Sequence, residues 1–142
     1  LDELIMKSNL KPVFCPRASF YLNQLNDNDH PCIRLINKGV DVSLGSDSSL
    51  VLEDPSSLST IDDARFLYKK YSLSSSLLFE MCSASGARAL GFDPELFYLK
   101  KGRVSGLLGW KTDFASQNAP LDQLMRGSHS PEWLIGPTLG TL

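Results

Sequence analysis

The chain has 142 residues, 42% hydrophobic and 21% charged, with a formal net charge of −2. That is enough apolar content for the core of one globular domain, and no basic block favours nucleic acid or an anionic membrane surface. Cys15, Cys32 and Cys82 are odd in number and irregular in spacing, without a CxxC pair. This argues against a disulfide framework or a cysteine zinc site, and they read as small buried apolar residues in a reducing compartment. No apolar run reaches the roughly 20 residues a bilayer span needs. The first residues lack a basic start followed by an apolar run, so no signal peptide is expected and the cytoplasm is the expected location.

In chain order, DELIMKS at 2–8 reads as the end of a helix, closed by Asn9 and kept from continuing by Pro12. PVFC at 12–15 is a short apolar run between prolines, consistent with a buried strand. Residues 16–28 read as a long polar loop. HPCIRLINK at 30–38 reads as a short amphipathic helix with Asp29 as N-cap, Pro31 in the first turn and Gly39 as the stop. VDVSL at 40–44 is β-branched and alternating. Strand, loop, helix and strand make a βαβ unit, which implies parallel strands. Asp54-Pro55 predicts the start of a further helix, with Leu58, Ile61, Ala64, Leu67, Tyr68 and Tyr71 at helical spacing. A second helix is expected over 75–90, with Leu77, Leu78, Met81, Ala84, Ala87 and Leu90 as its apolar stripe and Gly91 as its end. FYLKKGRVSGLLGW at 97–110 has strand-like pieces between glycines. PLDQLMRG predicts a short helix, with Asn118 or Ala119 before Pro120 and Gly127 after it. WLIGPTLGTL reads as an edge strand with a turn.

The sharpest chemical candidate is Asp47, in GVDVSLGSDSSL at 39–50. It follows the second strand of the βαβ unit, and ligands of α/β proteins gather at the C-terminal ends of parallel strands. A carboxylate there, flanked by Ser46 and Ser48, can hold a metal or take a proton from water. Gly-Ser-Asp-Ser is also favourable turn chemistry, so a plain Asx turn stands beside that reading. His30 and His129, the two histidines of the chain, do not make a metal site by spacing and read as surface or capping residues. There is no GxSxG elbow, P-loop or GxGxxG.

Three motifs carry a resemblance: VFCPRASFYL, then GVDVSLGSDSSL, then LLFEMCSASGARALGF. Together they resemble the C-terminal part of metal-dependent amidohydrolases. The branch they resemble is that of aminohydrolases and chlorohydrolases, which includes cytosine, guanine and S-adenosylhomocysteine deaminases. The family pattern has CPRSNxxL after the seventh barrel strand, GVxVxLGTDS at the eighth, and a following helix that ends ATxxGAxALG. The tail PLDQLMRGS…WLIGPTLG resembles the family's closing segment, so the likeness covers residues 10–140.

The resemblance implies that Asp47 is a ligand of one divalent metal, zinc first and iron second, and helps deprotonate the attacking water. It implies a hydrolase that attacks a ring carbon of a purine- or pyrimidine-like small molecule and releases ammonia. Ser19 and Ser48 fall where the family contacts substrate, although Ala18-Ser19 replaces the family's Ser-Asn. Ser46 replaces a threonine, and so does Ser83. The family's histidine ligands and its acid/base glutamate have no counterpart here. A (β/α)₈ barrel takes about 250 residues, so the expected fold is α/β, the C-terminal portion of such a TIM-type barrel. Its last two βα units would occupy 1–92, and 93–142 would be a C-terminal return packing on a small β domain. Such a piece is expected to be inactive alone and to bind metal weakly or not at all. The family is commonly homo-oligomeric. The alternative is a non-catalytic remnant or interaction module of amidohydrolase ancestry, with Asp47 a turn residue.

Overall fold

The computed structural model describes residues 1–24, 30–51, 58–101, 106–111 and 119–136. It is a mixed helix and strand structure. Helix α1 (Asp2–Lys7) leads to strand β1 (Val13–Phe14). Helices α2 (Pro16–Tyr21) and α3 (Pro31–Asn37) follow, then strand β2 (Ser43–Leu44). The strands pair in parallel, Val13 opposite Ser43 and Phe14 opposite Leu44. The expected βαβ unit is therefore present. Two flanking bonds extend the ladder: Ser43 N–H donates to the Pro12 carbonyl at 3.0 Å and Gly45 N–H to the Phe14 carbonyl at 2.8 Å.

Several expectations need correction. The polar loop of 16–28 contains helix α2, because Pro16 pre-sets the first helical turn after the strand. Helix α1 closes at Ser8 rather than Asn9, and β2 occupies only the end of the VDVSL run. Helix α3 is capped by His30, whose Nδ1 accepts from Cys32 N–H at 3.2 Å, not by Asp29. His30 is a capping residue, but it is fully buried rather than on the surface. Gly39 ends α3 as expected. At φ 75° it sits in the left-handed region that a Cβ disfavours, and Val40 N–H then reaches back to the Leu35 carbonyl at 3.1 Å.

The Asp54-Pro55 helix start lies outside the described residues. The helix is present from Thr60 to Tyr71 (α4), with the Ser59 hydroxyl accepting from Ile61 N–H. Asp62 and Asp63 lie in its first turn and Lys69 and Lys70 in its last, the arrangement its dipole favours. The single helix expected over 75–90 is two, α5 (Ser75–Cys82) and α6 (Ala84–Ala89), broken at Ser83. The Ser83 hydroxyl donates back to the Phe79 carbonyl at 2.7 Å, a local bond that competes with the helix ladder. Residues Pro94–Phe97 form a 3₁₀ turn that leads into the 97–110 stretch. Strand β3 (Leu107–Gly109) pairs antiparallel with β4 (Glu132–Ile135), on either side of helix α7 (Pro120–Arg126). Residues 137–142, part of the expected edge strand and turn, lie outside the described residues.

The core gathers Cys32, Leu35, Val42, Leu44, Ile61, Ala64, Leu67, Leu78, Met81, Leu124 and Met125. Thus α4 packs on α5, α2 and α7, and β2 packs on α5. The expected stripe residues Ile61, Ala64 and Leu67 point inward, whereas Leu58 is exposed. All three cysteines are free; Cys32 is buried, and Cys15 and Cys82 are half-buried. Among the described residues, β1 and β2 pair only with each other, and no helix is long and apolar enough to cross a membrane.

Candidate functional site

Just past the C-terminal end of β1, a largely buried ion pair ties helix α2 to helix α4. After Phe14 the chain turns at Cys15 into α2, with Pro16 first and Arg17 second. The first N–H groups of a helix have no partner within it. Here Arg17 N–H donates to Asp63 Oδ1 at 3.1 Å. The Arg17 guanidinium donates to Asp63 Oδ2 from Nε at 3.1 Å and from Nη2 at 2.9 Å. Nη2 also donates to the Ser59 carbonyl at 3.1 Å, so the same arginine ties α2 to the start of α4. Asp63 is completely buried. Burial pushes its carboxyl upward, and the bonds from Arg17 oppose that shift.

The second strand end closes on the same pair. Gly45 lies so close to Cys15 that a Cβ would meet its Sγ at 3.0 Å and a Val13 methyl at 3.2 Å. The Ser46 hydroxyl is buried without a partner in hydrogen-bond geometry, yet it is near enough to Asp63 to draw that carboxyl down. The Asp47 N–H is directed at the Cys15 thiol. Burial, then Asp63 and Asp47, push the Cys15 thiol upward, so it stays protonated and is no nucleophile near neutral pH.

Asp47 follows with φ 58°, a left-handed conformation that Asp tolerates better than most residues. Its side chain is exposed. The polar closure of this turn is made by Ser48, whose hydroxyl accepts from Leu50 N–H at 3.1 Å. Among the described residues, no donor is bonded to the Asp47 carboxylate. The Asx turn that sequence allowed is therefore not what the side chain does. Ser48 is committed to its own loop. Ser19 is half-buried within α2, its N–H donating to the Cys15 carbonyl at 2.9 Å, and no contact joins it to Asp47.

The histidines lie apart from this arrangement. The Nδ1 of His30 serves the cap of α3, and its ring meets Phe14 edge-on at 5.4 Å. Burial, then Lys70, lower its pKa, so the ring is neutral, with the proton on a buried Nε2 that has no partner among the described residues. His129 is exposed after α7, and its carbonyl accepts from Arg65 at 2.8 Å. Among the described residues, no three His, Cys, Asp or Glu side chains could hold a metal ion together. Asp47 fits a metal as one oxygen ligand and no more.

The family model described as the amidohydrolase family matches residues 1–127. The chain belongs to the amidohydrolase family. No curated protein and no solved structure matches it. In this amidohydrolase chain, Asp47 was visible from its place after a strand. Arg17 and Asp63 were missed as a pair. They stand 46 residues apart, and no spacing rule connects them. Arg17 enters the motifs only within VFCPRASFYL, and no motif singles out Asp63.

Proposed function

We propose that this chain supplies the aspartate ligand of a metal-dependent amidohydrolase that deaminates a purine- or pyrimidine-like heterocycle. The observation that carries this is an exposed carboxylate with no bound donor among the described residues, held just past the C-terminal end of a parallel strand in a chain of this family. Asp47 would bind one divalent metal through a carboxylate oxygen, zinc or iron by ligand type. Such a metal lowers the pKa of a bound water towards neutrality. Asp47 would accept a proton of that water as the water oxygen bonds to the ring carbon, and that proton would pass to the amine, which would leave as ammonia when the C–N bond breaks.

One carboxylate cannot hold zinc tightly, because such sites use three or four ligands. The chain has only two histidines, one spent on a helix cap and the other at the far side of α7. The remaining ligands and the acid/base group must then come from other residues of a longer protein. Asp47→Asn in the intact protein should abolish both bound metal, read by elemental analysis, and ammonia release from heterocyclic substrates. Retained metal and activity would sink the ligand role. Ammonia release by the 142-residue chain alone with added zinc would refute the need for outside ligands.

A further inference from the structure

We propose that Arg17 and Asp63 are positioning residues for the Asp47 carboxylate, an inference that rests on the reading of Asp47 as a metal ligand. An exposed side chain on a turn loses much of its value as a ligand unless its backbone is fixed, because each disordered rotor must be frozen on binding. Beside the local Ser48–Leu50 bond, three contacts of the Asp47 turn lead towards this pair. Gly45 is bonded to the strand that runs into α2. Ser46 is buried beside Asp63, and Asp47 N–H faces Cys15, the residue that caps α2. Asp63 in turn holds the first turn of α2 through both the backbone and the side chain of Arg17.

A purely structural account is weaker. Buried ion pairs rarely stabilise a fold more than well-packed apolar residues of the same volume would. What an ion pair adds is a fixed geometry: three bonds on one carboxylate hold the start of α2 in one arrangement against α4, beside the Asp47 turn. Outer partners of metal ligands are typically worth on the order of 10- to 100-fold in metal affinity; this pair acts through Ser46 and the Cys15 turn rather than by a bond to the Asp47 carboxylate.

The test uses the intact protein, stripped of its resident metal and loaded with cobalt(II), whose visible absorption reports ligand geometry. Affinity is read by chelator competition. Asp63→Asn should bind cobalt on the order of 10- to 100-fold more weakly, with an altered visible spectrum. Asp41→Asn breaks the other buried-side carboxylate–arginine contact of β2 at its opposite end, and should leave both readouts at wild type. Wild-type affinity and spectrum in Asp63→Asn would overturn the proposal while leaving the role of Asp47 standing. An equal loss in Asp41→Asn would overturn it as general destabilisation. If Asp47→Asn itself binds cobalt like wild type, the ligand reading fails and this inference fails with it. Should Asp63→Asn not fold, Arg17→Lys decides, since it keeps the charge and loses the fork. A loss of about tenfold is then expected, and wild-type binding overturns the proposal.

Discussion

The two ends of strand β2 are both flanked by a carboxylate–arginine pair, yet the pairs differ in kind. At the N-terminal end, Asp41 accepts from Arg88 Nε at 2.6 Å and from the Ser85 hydroxyl at 2.7 Å. Arg88 also reaches Glu80, and Lys11 stands 3.6 Å from Asp41. The two paired charges keep contact with water: 28% for Asp41, 30% for Arg88. At the C-terminal end, Asp63 has no exposure at all, and its bonds come from one arginine. An open network joins α6 to the strand and leaves nothing poised nearby. A closed pair sits under an exposed carboxylate with no donor. This matches the general division of α/β proteins, in which chemistry collects at the C-terminal ends of strands and the other end serves stability.

The contrast can be broken by substitution. The largest effect is expected for Asp63→Ala, which leaves the largely buried Arg17 guanidinium without its carboxylate, held by the Ser59 carbonyl alone. It should cost about 3–5 kcal/mol, measured by urea denaturation. A loss under 1 kcal/mol would mean that the pair is no more closed than Asp41–Arg88.

The next effect is a pH dependence at the other end. Arg88, with Ser85 and Lys11, holds the Asp41 carboxyl down to about 2. A carboxyl depressed in the folded state stabilises above its unfolded pKa, and that stability is lost as pH falls through the folded value. Asp41→Asn should therefore be less stable than wild type at pH 7 by about 1 kcal/mol, allowing for solvent screening of a half-exposed pair. The gap should close between about pH 4 and pH 2 in paired thermal unfolding curves. A gap that does not change with pH would remove the electrostatic account.

The smallest effect is expected at Asp47 itself. Asp47→Gly suits φ 58° and removes no bond from the described residues. Stability should stay within about 1 kcal/mol of wild type, the balance between relieved left-handed strain and a more flexible unfolded chain. A larger loss would show that the Asp47 side chain holds the turn together and is not poised for a ligand.

Much of the local structure was legible because local rules governed it. Pro12 and Pro16 bracket β1, Gly39 stops α3, and Ile61, Ala64 and Leu67 repeat at helical spacing, each a constraint that acts within one or two turns. Helix α2 was misread as loop because its sequence, PRASFY, has little periodicity; its first turn is completed by Asp63 from another helix. The break at Ser83 was hidden for a similar reason. The apolar stripe continues past it, and only the side-chain bond to Phe79 reveals the interruption. His30 looked like a surface or capping residue, but its burial against Phe14 depends on where β1 and α3 come together.

By itself, the sequence determined the parallel βαβ order, the place of Asp47 after a strand and the family to which the motifs point. These follow from period, punctuation and short motifs, all properties of neighbouring residues. Only the tertiary structure decided that Ser48, not Asp47, closes the turn. It alone decided that Arg17 and Asp63 meet beneath that turn. Residues 46 apart come together only when two strands, two helices and a core are already in place, because a buried charge is tolerated only where the whole fold brings its partner to it.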